Sequence, residues 1–71
     1  MLEAISIEKK VKLIIRYDHS CDGYYLYVYD LENNKCIIDH LCDDLSQALY
    51  IAKEDYNISQ NEFKKIDDII S

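Results

Sequence analysis

The sequence predicts an α+β domain built in two layers, a three-stranded antiparallel meander covered by one helix, with a short second helix at its C-terminal end (βββαα). Three observations point there. Residues 11–17, 23–30 and 35–41 alternate apolar and polar side chains as strands do, residues 45–56 repeat apolar side chains at helical spacing, and turn-forming residues separate these runs.

The first strand is set by Val11, Leu13, Ile15 and Tyr17, which alternate with Lys10, Lys12, Ile14 and Arg16. Asp18-His19-Ser20-Cys21-Asp22-Gly23 follows as a turn and holds the only glycine, the residue expected to take a positive φ there. Tyr24 to Asp30 is a strand with two useful faces. Tyr24, Leu26 and Val28 point one way to build the core, and Tyr25, Tyr27 and Tyr29 form an aromatic row on the other side. Glu32-Asn33-Asn34 makes the next turn, because Asn tolerates the left-handed region.

The third strand, Lys35 to Leu41, has two registers, since a slip of one residue reverses its faces. We expect Cys36, Ile38 and His40 inward, because the other choice buries Asp39. Ile37 then joins Ile14 and the tyrosines outside. Asp44 is the expected helix cap, with Gln47 three residues on, and Leu45, Ala48, Leu49, Ala52 and Tyr56 form the face that covers the sheet. Asn57 closes this helix. Ser59-Gln60-Asn61-Glu62 reads as a capping box, and Ile58 with Phe63 as a hydrophobic staple. Phe63, Ile66 and Ile70 would be the buried stripe of the second helix. Residues 1–8 fit either an added strand or a frayed arm, and no internal repeat is visible.

Length limits the chemistry. A chain of 71 residues forms one domain (1–71) and buries roughly 60% of its unfolded surface, which leaves little room for a deep catalytic cleft. The composition is that of an ordered globular chain, 49% hydrophobic with one Gly and no Pro. No membrane span and no secretory leader is visible, so a cytoplasmic protein is expected.

The net charge of −6 is unevenly spread, with +2 over residues 1–17 and −8 over the remainder. Such a balance disfavours direct nucleic-acid binding and favours a basic protein partner.

Catalytic and metal signatures are weak. Neither His19-x-Cys21 nor Cys36-x₃-His40-x-Cys42 has the two-residue spacing of a zinc turn, so no metal and no cofactor is expected. Stable disulfides are not expected from an odd count of three cysteines. Cys42, beside a helix start, is a candidate for a lowered thiol pKa. Ser20 beside His19 lacks a third group to orient a base, Asp43-Asp44 is explained by capping, and Asp67-Asp68 by a solvated helix side. The chain therefore reads as a non-enzyme. Its expected partner-binding residues are Tyr25, Tyr27, Tyr29 and Ile37 on the aromatic face, with Asp39, Asp43, Asp44, Glu54 and Asp55 as an acidic rim.

The run from Val11 to Tyr56 resembles the βββα core of HicB-type antitoxins: an alternating strand, the Asp22-Gly23-Tyr24-Tyr25 strand, Tyr29-Asp30-Leu31, a Cys-bearing third strand, then Asp43-Asp44-Leu45-Ser46-Gln47-Ala48-Leu49 opening a helix. Similar layouts occur in small bacterial immunity and inhibitor proteins. The resemblance implies a small basic toxin acting on RNA as partner, inhibited by masking of its working surface. The chain departs from that family in Glu32-Asn33-Asn34-Lys35, where a Pro-Gly turn is usual, and in the expected absence of a strand after the helix and of a C-terminal DNA-binding domain. The alternative is a self-associating protein that dimerises through the tyrosine face.

Overall fold

The computed structural model describes residues 1–66. Five strands form one antiparallel sheet: β1 (Leu2–Ser6), β2 (Val11–Asp18), β3 (Gly23–Asp30), β4 (Lys35–Cys42) and β5 (Lys64–Lys65), in the order β4-β3-β2-β1-β5. One helix, α1 (Leu45–Tyr56), packs across β3 and β4. The α+β class stands, but the expected three strands and two helices become five strands and one helix.

The meander is built on a repeated turn. Ser6 pairs with Val11, Asp18 with Gly23 and Asp30 with Lys35, so each hairpin is closed by four residues. The last loop residue is left-handed every time: Lys10 (φ 57°), Asp22 (φ 51°) and Asn34 (φ 54°), twelve positions apart. The residue that opens each loop accepts a hydrogen bond through its side chain. Ser6 Oγ accepts from Lys9 N–H at 3.2 Å, Asp18 Oδ1 from Ser20 N–H at 3.0 Å, and Asp30 Oδ1 from Glu32 N–H at 3.1 Å. Asn34 takes the left-handed role expected of that turn.

Gly23 does not, because its φ is not positive and Asp22 carries the left-handed turn instead. A different constraint holds glycine there. A Cβ on Gly23 would lie 3.0 Å from the Cys42 carbonyl oxygen and 3.3 Å from Leu41 Cδ1, so glycine allows β4 its close approach.

The inner face is closed by α1. Val11, Leu13, Ile15, Leu26, Val28 and Cys42 are buried beneath Ala48 and Ala52, with Ile58 sealing one end. The two alanines let the helix backbone settle onto the strands, as the sequence predicts. Asp44 caps α1 by accepting from Gln47 N–H at 2.9 Å, while Gln47 Oε1 accepts from Asp43 N–H at 2.9 Å. Asn57 ends the helix at φ 55°, and its turn brings Ile58 N–H to the Ala52 carbonyl at 3.1 Å.

Beyond Ile58 the second helix is replaced. Glu62 accepts from Ser59 N–H at 2.7 Å, the local signal that predicts a helix, yet only a 3₁₀ turn over Gln60–Glu62 forms. Phe63 is already extended, and Lys64–Lys65 pairs with Glu3 and Leu2 as β5. Backbone bonds between Met1 and Ile66 extend the pairing, with Ile66 N–H donating to the Met1 carbonyl at 2.9 Å. Phe63 still packs on the core. Ile70 and the Asp67-Asp68 pair lie outside the described residues. Residues 2–6 are the added strand of the two alternatives, and the strand missing after the helix is present as β5.

β4 contains a further departure. Ile38, His40 and Cys42 pair with Val28, Leu26 and Tyr24 on the inner side, as expected for the first two, yet of the three only Cys42 is buried and Ile38 stays 38% exposed. A register shift between Val28 and Tyr29 then sets Cys36 opposite Tyr29, on the outer side. Cys36 is thus exposed rather than inward.

Candidate functional site: the open sheet face

Because α1 covers one face only, the other face lies open among the described residues, and cross-strand pairing fixes what it displays. Three rows run across it: Leu41-Tyr25-Arg16, Asp39-Tyr27-Ile14-Glu3-Lys64 and Cys36-Tyr29-Lys12-Ile5. The expected aromatic row is therefore real. Tyr25 and Tyr27 stack with centroids 5.6 Å apart, Tyr27 and Tyr29 tilt together at 6.5 Å, and the Lys12 ammonium sits 5.4 Å from the Tyr29 ring centroid. This mutual stacking leaves each tyrosine of the row half-buried.

The aliphatic side chains flanking the row have no such cover. Leu41 is 57% exposed and Ile5 50% exposed, on opposite margins of the tyrosines. Ile37, 55% exposed, lies at the register shift of β4 beside Cys36. At one end the Tyr25 hydroxyl lies near Cys21, and its interaction with that side chain, together with desolvation, holds the phenol above its ordinary pKa. Near the turn on the other side of the sheet, Tyr17 Oη donates to Asp22 Oδ1 at 2.6 Å, which raises its pKa likewise.

The acidic residues do not all share this face. Asp39 stands on it, opposite Tyr27. Asp43 and Asp44 occupy the β4–α1 junction, where the Asp44 carboxylate is engaged by Ser46 Oγ at 3.2 Å and Gln47 N–H at 2.9 Å. Glu54 and Asp55 are exposed on α1, in the layer behind the sheet. The open face itself carries Lys12, Arg16 and Lys64 against Glu3 and Asp39. Among the described residues most of the acid lies off this face, on the loops, the strand ends and α1.

A residue that sequence reasoning passed over stands out there. Tyr50 is 65% exposed on α1, with Gln47 and Glu54 one turn to either side. The signal was legible, because Tyr50 falls off the stripe formed by Leu45, Ala48, Leu49, Ala52 and Tyr56.

The remaining candidates are placed as follows. His19 packs edge-on against Tyr17 at 4.7 Å, and Ser20 Oγ donates to Asp18 at 2.7 Å, so neither is aimed at the other. Asp18 has its pKa lowered by the two bonds it accepts from Ser20. Cys36 and His40 project from opposite sides of β4. Among the described residues no three His, Cys, Asp or Glu side chains converge as metal ligands. Cys42 is not the low-pKa thiol expected, since it is 1% exposed and burial, with Asp43 and Asp44 nearby, pushes its pKa up. An apolar recess of about 160 Å³ lies between Ile15, Tyr17, Tyr24 and Leu45, too small to enclose most metabolites. No helix among the described residues is long and apolar enough to cross a membrane.

Comparison with protein-family models, curated proteins and solved structures returned no match to this chain.

Proposed function

We propose that this chain is a small, acidic, non-catalytic protein-binding module, acting in the cytoplasm, whose working surface is the open face of its sheet. One observation carries the reading: Leu41 and Ile5 stay exposed on either side of a stacked tyrosine row, on a face that no other element among the described residues covers. Aromatic rows flanked by exposed aliphatic side chains are what contact surfaces are made of.

The resemblance to HicB-type antitoxins and small immunity proteins extends the proposal to inhibition of a basic nuclease or toxin. The acid on the loops and α1 supports that extension, because a strongly negative surface speeds encounter with a cationic protein.

The test is capture from a lysate with this protein as bait, at low and at moderate salt, with its native mass measured in parallel. A basic protein should be recovered, less of it as salt rises, since exposed charges are screened over about 10 Å at 0.1 M ionic strength. The variant with Tyr25, Tyr27 and Tyr29 all replaced by Thr should lose it. Recovery of only this chain, unchanged by salt, overturns the inhibitor role. A triple variant with unchanged capture and unchanged sedimentation overturns the use of the open face.

A further inference from the structure

We infer that the open face is built to receive a second copy of this chain, stacked face to face about a two-fold axis parallel to β3, with Asp39 of each copy entering between Lys12 and Arg16 of the other. The inference rests on the open-face reading above and names the occupant of that surface.

The charge pattern selects it. Viewed strand by strand, the centre of the face is three columns: Leu41, Asp39 and Cys36 on β4, the three tyrosines on β3, and Arg16, Ile14 and Lys12 on β2. The acidic column and the basic column therefore flank the aromatic one symmetrically, each one strand spacing away, about 4.8 Å. A two-fold axis along β3 lays tyrosines on tyrosines and exchanges the outer columns, so that β4 of one copy covers β2 of its partner.

Rows are preserved by this rotation. Asp39 then sits over the partner's Ile14, with the partner's Arg16 and Lys12 two residues away on either side, and Leu41 covers the aliphatic stem of the partner's Arg16. The interaction occurs twice by symmetry. The competing two-fold, running across the strands, sets Asp39 against the partner's Asp39 and Arg16 against the partner's Lys12. Like charges meet in that arrangement, which disfavours it.

Such a dimer also suits the rest of the charge. The open face carries three basic and two acidic residues in a chain whose net charge is −6, so stacking these faces turns both acidic helix layers outward. Three overlapping strands cover roughly 400 Å² per copy from strand spacing and rise. The total of about 800 Å² lies below that of standard stable complexes, so association is weak and concentration-dependent.

Sedimentation equilibrium over two decades of concentration tests the inference. The chain should move from monomer to dimer, and Asp39→Lys should weaken association at least ~10-fold by placing a lysine between the partner's Lys12 and Arg16. Arg16→Glu decides the axis. It should weaken the dimer if Arg16 meets the partner's Asp39, and would strengthen it if Arg16 met the partner's Lys12. Combining Asp39→Lys with Lys12→Glu and Arg16→Glu should restore association, which also separates lost contact from lost fold.

A dimer indifferent to Asp39→Lys, or tightened by Arg16→Glu, overturns the inference. If the chain stays monomeric throughout while the threonine variant still abolishes capture of a basic protein, the second copy is the wrong occupant and the open-face reading survives. If the threonine variant changes neither sedimentation nor capture, both fall.

Discussion

Replacing Ala52 by Leu probes whether α1 rests on the sheet through its alanines. Ala52 is fully buried within the core cluster, and its carbonyl accepts the Ile58 N–H, so the helix cannot rise here without loosening the residue that seals its end. Leu is nearly as good a helix former as Ala, so propensity contributes little. Overpacking should cost about 1–3 kcal/mol.

A chain of 71 residues has about 4–10 kcal/mol to lose. With an m-value of about 1 kcal/mol/M, the urea midpoint should fall by roughly 1–3 M, and the thermal midpoint by roughly 5–20 °C. Lys53→Leu, at the exposed neighbouring position, is the control and should stay within about 0.5 kcal/mol. Both variants are followed by far-ultraviolet circular dichroism. An Ala52→Leu midpoint equal to that of the parent would mean that α1 does not press on the strands at this point.

Four further outcomes are expected. Gly23→Ala should destabilise by about 1–3 kcal/mol through crowding against β4, read by denaturation and by faster amide exchange along the β3–β4 pair. At Asn57, Ala should cost about 1 kcal/mol in the denaturation midpoint and Gly should not, because the left-handed conformation there penalises a Cβ. Cys21 and Cys36 should react promptly with a thiol reagent under native conditions, and Cys42 only at the rate of unfolding. Since the folded-state pKa of Cys42 is raised from 9.0, the unfolded chain loses that proton first as pH rises; stability should therefore decline above about pH 9, less steeply in Cys42→Ala.

The parts of the fold that were legible are those whose signal is both local and apolar. β2, β3 and the inner stripe of α1 combine periodicity with burial, and Asp44 and Asn57 mark the helix ends by side-chain chemistry. β1 was ambiguous because Ala4 is its only fully buried side chain, and β5 because two exposed lysines carry no pattern. At Ser59–Glu62 the local helix signal lost to pairing with β1, a partner more than fifty residues away. The twelve-residue turn repeat escaped notice because its closing residues, Lys10, Asp22 and Asn34, share a conformation and no chemistry. Gly23 drew attention to the right turn and the wrong residue. The aromatic row followed from strand alternation alone. Which acids stand beside it did not, because that depends on the face of the sheet the helix covers.

The two faces of the sheet solve different problems, and the contrast bears on what the tyrosines are for. Cross-strand stability alone would explain a row of tyrosines, since stacked aromatic rings on a pleated surface support one another with their hydroxyls in water. It does not explain Leu41 and Ile5, which gain nothing from the stacking and leave aliphatic surface in water on both margins of it. Nor does it explain charge: in a chain of net charge −6, an open face bearing more basic than acidic residues is the reverse of what solubility alone would place there. Keeping acid away from an aromatic surface lowers the electrostatic cost of bringing a second acidic molecule against it. The acid of the loops and α1, set apart from the row, would speed the approach of a cationic molecule without adding to that cost.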